Sequence, residues 1–189
     1  MKILLCTLIG YLLGSLSPSA LLAKIKKQNL RKQGTGNLGA SNTMLVLGKG
    51  YGAFVMIFDI TKAFAACKIV RLLFPDFVYG GLIAGLSAEL GHIFPFYLNF
   101  KGGKGLSTFG GLVLAYDPLM FLFLLIFGCI LMVIVNYSAA MPMSVGILFP
   151  ILAGLKSGDG IVFAITLAAG LLILAKHASN VTKGRQGKD

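Results

Sequence analysis

The sequence predicts an all-α integral-membrane protein: a seven-transmembrane helix bundle with its N-terminus outside and its C-terminus cytoplasmic. Three observations carry this. First, 57% of the 189 residues are hydrophobic and only 12% are charged, with a mean hydropathy of +0.87, whereas a soluble domain carries roughly 25% charged residues. Second, the charges are lopsided, 17 Lys+Arg against 6 Asp+Glu, for a net +11 and a pI near 9.8. Third, the basic residues fall mostly between alternate apolar runs, as the positive-inside rule requires of a multispanning protein. A high pI alone suggests nucleic-acid binding, but that reading needs a polar, soluble fold, so no nucleic-acid partner is expected. The polar segments are too short for a separate soluble domain, and residues 1–189 are expected to form a single integral-membrane domain.

The first span is expected over residues 3–23, long enough to cross a hydrocarbon core of about 30 Å. A cleaved leader is disfavoured, because the cluster Lys24, Lys26, Lys27, Arg31, Lys32 follows where a cleavage site belongs. Residues 24–50 form the longest polar stretch, rich in Gly and Asn. The remaining hydrophobic stretches are 51–73, 78–97, 105–135, 141–155 and 161–175. A continuous helix over 105–135 would be about 46 Å long, too long without a bend, and Asp117-Pro118 supplies the break. That division makes seven spans, of which 105–116 and 141–155 are short and expected to be tilted or shielded inside the bundle. On this topology the face holding 24–50, 98–104, 136–140 and the tail from 176 carries twelve of the seventeen basic residues. It is therefore the cytoplasmic face of a cell-membrane (plasma or inner membrane) protein.

Cys6, Cys67 and Cys129 lie far apart in apolar runs and suggest neither a disulfide framework nor a metal site. The unusual polar segments cluster on the cytoplasmic face. Gly34-Thr35-Gly36-Asn37-Leu38-Gly39-Ala40-Ser41-Asn42 combines glycines, which admit close backbone approach to a ligand, with side-chain donors. Phe100-Lys101-Gly102-Gly103-Lys104-Gly105-Leu106-Ser107-Thr108 opens a span. It lacks the glycine five residues before the Gly-Lys-Ser/Thr of a nucleotide-binding loop, but glycines, lysines and a helix N-terminus together suit phosphate. His177 and Asn180 share a helix face near the end of the last span, and histidine is the usual acid/base near neutral pH.

Four further polar residues lie within spans. Asp59 and Lys62 are spaced to neutralise each other, Glu89 is spaced to pair with His92, and His92 itself reads as a structural residue at the end of the third span. No metal cluster or Ser-His-Asp arrangement assembles from the sequence. The residues alone therefore describe a membrane protein whose loops converge on a phosphate-bearing ligand. A transporter or binding protein for a small phosphorylated solute stays open beside an enzyme, although motif residues on one face rather than at the midplane argue against transport.

These motifs resemble the bacterial membrane acyltransferase family that moves a fatty acyl group from acyl phosphate to glycerol 3-phosphate. Residues 34–42 are similar to its Gly-Ser-Gly-Asn-x-Gly-Ala-Thr-Asn signature, with Thr35 and Ser41 as exchanges. Residues 91–108 resemble its second signature, His177-x-x-Asn180 its C-terminal one, and residues 58–62 a smaller one. The resemblance implies acylation of the sn-1 hydroxyl to give lysophosphatidic acid for phospholipid synthesis, with no cofactor and no metal. Its small-molecule partners would be acyl phosphate and glycerol 3-phosphate, with membrane lipid around them. It implies catalytic roles for Thr35, Lys104, His177 and Asn180. Substrate binding would fall to Gly34, Gly36, Asn37, Gly39, Ser41, Asn42, Gly102, Gly103 and Gly105. The chain departs from the family pattern at Leu45, where arginine is usual, at Met141, where a serine is usual, and at Asn29, where an aspartate is common. Leu45 removes a bidentate phosphate contact, so a diverged paralogue of low activity is a further expectation.

Overall fold

The structure, a computed structural model, describes residues 1–184 of the chain, with side chains through Ala178. Every regular element among the described residues is helical, without strands. In order they form α1 (Lys2–Ser15), α2 (Pro18–Ile25), α3 (Ala40–Leu47), α4 (Lys49–Leu73) and α5 (Gly80–Ile93). A single 3-10 turn (Phe96–Leu98) follows, then α6 (Leu106–Tyr116), α7 (Pro118–Val135), α8 (Ala140–Ser157) and α9 (Gly160–Gly184). Among the described residues, five segments are long and apolar enough to cross a membrane: Lys2–Ile25, Gly80–Leu98, Pro118–Val135, Ala140–Ser157 and Gly160–Ala178.

Three boundaries differ from expectation. The first span is two helices, because Ser17 caps α2 by accepting the Ala20 N–H at 3.3 Å and Pro18 takes the first helical position. The polar stretch 24–50 contains α3, an eight-residue helix whose apolar end Met44–Leu47 was masked by the surrounding Gly and Asn. The helix expected over 141–155 is no shorter than a span. It runs 18 residues, about 27 Å, through Lys156 and Ser157, and ends where Gly158 adopts φ +63°.

The break at Asp117-Pro118 falls as expected. Asp117 Oδ1 accepts the N–H groups of Leu119 (2.8 Å) and Met120 (3.0 Å), while its other oxygen pairs with Lys156. The Lys156 ammonium, with the two cap N–H groups, holds the Asp117 carboxyl below its ordinary range.

Close backbone approach organises the bundle, as is usual where lipid removes the hydrophobic drive between helices. A Cβ at Gly10 or Gly14 of α1 would collide with the backbone of Ala84 or Ala88 of α5. Phe109 of α6 packs edge-on against Phe149 of α8, ring centroids 5.4 Å apart, and Leu112 and Ile173 close the same core. Outside it, α7 presents Leu119, Phe123, Ile130 and Ile134, a lipid-facing surface.

Candidate active site

The Gly-Asn loop is folded by its own side chains. Leu30 and Leu38 anchor it in a small apolar cluster. Asn42, fully buried, accepts the Thr35 N–H on Oδ1 at 2.7 Å and donates from Nδ2 to the Leu30 carbonyl at 2.8 Å. The loop ends at Gly39, which begins α3 with no side chain capping the first turn. Arg31 donates to the Lys101 carbonyl at 2.5 Å and so ties this loop to the Lys-Gly loop.

The Lys-Gly loop turns through left-handed Asn99 and Phe100. It is then laid along the end of α5 by two backbone bonds, Gly102 N–H to the Ile93 carbonyl (2.9 Å) and Gly103 N–H to the His92 carbonyl (3.1 Å). Lys104 follows, and Gly105, at φ +91°, begins α6, again without a side-chain cap. Two helix N-termini, each with uncapped N–H groups and the positive end of a dipole, therefore open toward one cleft of about 720 Å³.

The cleft is lined by Gly34, Thr35, Asn37, Gly39 and Ser41 from the first loop, and by Lys104, Gly105 and Ser107 from the second. Ser138 and Pro142, around the start of α8, and His177 of α9 complete the wall, and Asp59 and His92 form its floor. His177 Nδ1 lies 3.0 Å from the Ile173 carbonyl. A carbonyl only accepts, so Nδ1 carries the proton and Nε2 offers a lone pair. That tautomer is assigned from the hydrogen-bond network.

Three of the four expected catalytic residues, Thr35, Lys104 and His177, thus meet in one cleft, and the side chain of Asn180 lies outside the described residues. Of the expected substrate-binding residues, Gly34, Asn37, Gly39, Ser41 and Gly105 line it, and four do not. Asn42 has both ends of its amide committed to the backbone. Gly36 bonds the Gln33 carbonyl at 3.0 Å and shapes the turn. Gly102 and Gly103 spend their N–H groups on α5 rather than on a ligand. Their small size is what the structure uses, since a Cβ at either would strike His92.

Sequence reasoning missed the floor of the cleft. Asp59 and Lys62 do pair, at 2.7 Å, but Lys62 Nζ also reaches His92 Nδ1 at 3.0 Å and the Leu16 carbonyl at 2.6 Å. His92 is therefore part of a buried polar cluster rather than a bare helix-end residue. Glu89 does not pair with it: neither carboxyl oxygen has a partner among the described residues. Only the Asp59/Lys62 spacing hinted at this arrangement, because His92 is thirty positions from Lys62.

Apolar helices of membrane-crossing length around a cleft with two helix N-termini, a lysine and a histidine define an integral-membrane protein that handles an anionic ligand. A family profile described as "Glycerol-3-phosphate acyltransferase" matches residues 4–187. The chain is 37% identical over 190 residues to a glycerol-3-phosphate acyltransferase of Macrococcus caseolyticus (strain JCSC5402), covering 97% of this chain and 93% of that relative. It is 32% identical to one from Listeria monocytogenes serovar 1/2a, covering 100% and 96%. Among solved structures it matches PlsY (YgiH), an integral membrane glycerol 3-phosphate acyltransferase, in its glycerol 3-phosphate form. That match has a TM-score of 0.92 and 30% identity over 100% of this chain and 94% of the other. The lysophosphatidic acid form matches with a TM-score of 0.87 and 29% identity. The chain belongs to the glycerol-3-phosphate acyltransferase family. It is an acyltransferase enzyme of phospholipid biosynthesis and a multi-pass membrane protein.

Proposed function

We propose that this enzyme takes its acyl group from acyl phosphate, passes it to the sn-1 hydroxyl of glycerol 3-phosphate, and works on the cytoplasmic face of the membrane. The single observation that carries the reading is the convergence on one cleft of Lys104, the uncapped starts of α3 and α6, and the Nε2 lone pair of His177. Both substrates bear phosphate, and helix N-termini beside an ammonium suit that charge. The glycerol 3-phosphate and lysophosphatidic acid forms of PlsY fit the same acceptor and product. Seven spans arise if α4 and the shorter α6 cross with the five longer segments, which puts the termini on opposite sides. The distribution of Lys and Arg then turns the cleft inward.

In the reaction the acceptor hydroxyl attacks the acyl carbonyl carbon. A new C–O ester bond forms, the carbonyl-carbon-to-phosphate-oxygen bond breaks, and inorganic phosphate departs with the pair of electrons from that bond. The hydroxyl proton goes to Nε2 of His177 and on to the leaving phosphate. Lys104 and the α6 N-terminus hold phosphate, while Thr35, Asn37 and Ser41 position the acceptor. As phosphate is already a good leaving group, proton acceptance and positioning carry most of the catalytic load. The acyl chain lies among the helices, which places this chemistry in a membrane.

The test is acyl transfer by purified protein in detergent, with acyl phosphate and a panel of phosphorylated acceptors. Glycerol 3-phosphate is expected to be acylated, and Lys104→Ala and His177→Ala to abolish most turnover. Full activity in both variants would overturn the site. Uptake of labelled glycerol 3-phosphate into proteoliposomes without acylation would favour the transporter reading.

A further inference from the structure

We infer that His92 presents its Nε2–H to a substrate phosphate, in the tautomer opposite to that of His177, and that Lys62 and Asp59 are positioning residues that fix it. The inference rests on the cleft being the substrate site.

It begins at the break between α1 and α2. In an unbroken helix the Leu16 carbonyl would receive the N–H of Ala20, but Ser17 Oγ takes that N–H as the cap of α2. The Leu16 carbonyl is left to accept from Lys62 Nζ at 2.6 Å. Lys62 is buried and offers three donors and no acceptor. One donor meets the Leu16 carbonyl and another His92 Nδ1 at 3.0 Å, while Asp59 Oδ1, 2.7 Å from Nζ, is the ion-pair partner that keeps the ammonium charged. Because an ammonium only donates, Nδ1 must be the lone-pair nitrogen of His92. Asp59 Oδ1 stands farther from that nitrogen, at 3.5 Å, so the shorter contact decides the proton's place.

The proton of neutral His92 therefore sits on Nε2. That edge of the ring is turned to Gly103, where a Cβ would collide with it, and Gly103 immediately precedes Lys104. Nε2 makes no hydrogen bond within the described residues, and His92 lines the cleft. The two histidines of one cleft are thus set to complementary tasks by their other nitrogens. Lys62 makes His92 a donor, suited to phosphate oxygen, and the Ile173 carbonyl makes His177 an acceptor, suited to a hydroxyl proton.

The experiment combines kinetics and spectroscopy on the full chain. Glycerol 3-phosphate and acyl phosphate are varied separately, and the substrate whose KM moves identifies the phosphate that is bound. His92→Leu is expected to raise that KM on the order of ten- to hundredfold, the worth of one hydrogen bond to a charged group, with the smaller part of the loss in kcat. His92→Gln, which keeps an N–H donor, is expected to recover much of it. In ¹⁵N-histidine spectra of the wild-type protein in bilayers, His92 should be protonated at Nε2 and His177 at Nδ1. Lys62→Met should abolish the preference of His92 alone. A protonated Nδ1 on wild-type His92, or both KM values unmoved in a folded His92→Leu protein, overturns the inference; the spectra decide it even where a variant fails to fold. Full activity in Lys104→Ala and His177→Ala would instead sink the site itself.

Discussion

Asn42 and Thr35, seven residues apart, are locked together by one partly buried bond, the Thr35 N–H to Asn42 Oδ1 at 2.7 Å. With Asn42 Nδ2 on the Leu30 carbonyl, a single amide closes the whole Gly-Asn loop and sets where α3 begins. Asn42→Leu is expected to leave the buried Leu30 carbonyl without its partner and release the Thr35 N–H to solvent, destabilising the fold by about 1–3 kcal/mol. The readout is the thermal or denaturant midpoint in detergent. KM for the phosphate substrates should rise as well, because Thr35 and the start of α3 lose their fixed position. An unchanged midpoint would show that the loop is held by something else.

Lys104 and His177 should fail in different ways. Lys104→Ala removes the proposed phosphate-binding charge and is expected to raise KM. His177→Ala removes the proposed proton acceptor and is expected to lower kcat on the order of 10²–10⁴-fold with KM nearly unchanged. His177→Gln should not restore the rate, since its amide nitrogen cannot accept a proton. Steady-state kinetics separates these outcomes, and equal KM effects in both variants would contradict the division of labour.

Asp117 should make stability depend on acid. Its folded carboxyl titrates below the ordinary value because of Lys156 and the α7 cap. The stabilisation is therefore fully present above the unfolded value of about 3.9 and is lost as pH falls through the lower folded value. Asp117→Asn keeps a cap oxygen but not the charge. Its melting temperature should lie below wild type near neutral pH and converge on it in acid. Parallel curves at all pH values would rule this out.

Glu89 is expected to behave against intuition. It is fully buried with both carboxyl oxygens unpartnered among the described residues, and burying such a group costs about 1–3 kcal/mol on protein scales. Glu89→Leu should therefore raise the melting midpoint without lowering turnover. A lower midpoint would mean that the carboxyl is satisfied within the bundle.

What was legible in the sequence followed from local chemistry. The break at Asp117-Pro118 could be read because an N-cap and a proline at the first helical position are both local signals, and the Gly-Asn and Lys-Gly loops because glycine clusters stand out from apolar runs. What escaped depended on distance along the chain. Asn42 reads as a ligand donor until Leu30 and Thr35 are seen to use up its amide. Gly102 and Gly103 read as phosphate ligands until their N–H groups are traced to Ile93 and His92. The Asp59–Lys62 spacing foretold an ion pair, but only the fold brings in His92 and the Leu16 carbonyl. Glu89 sits at pairing distance from His92 in sequence, yet His92 is turned toward Lys62.

The order in which the cleft's parts occur along the chain has a consequence for biosynthesis. Thr35 is made early and Lys104 midway, whereas His177 arrives only on the last helix, which packs against α8 and α5. A chain halted on the ribosome before α9 holds the loops proposed to bind phosphate but lacks the proposed proton acceptor. On the proposed roles, chemical competence is gained only at the final insertion step, and a prematurely terminated product would sit in the bilayer as an inert anion binder.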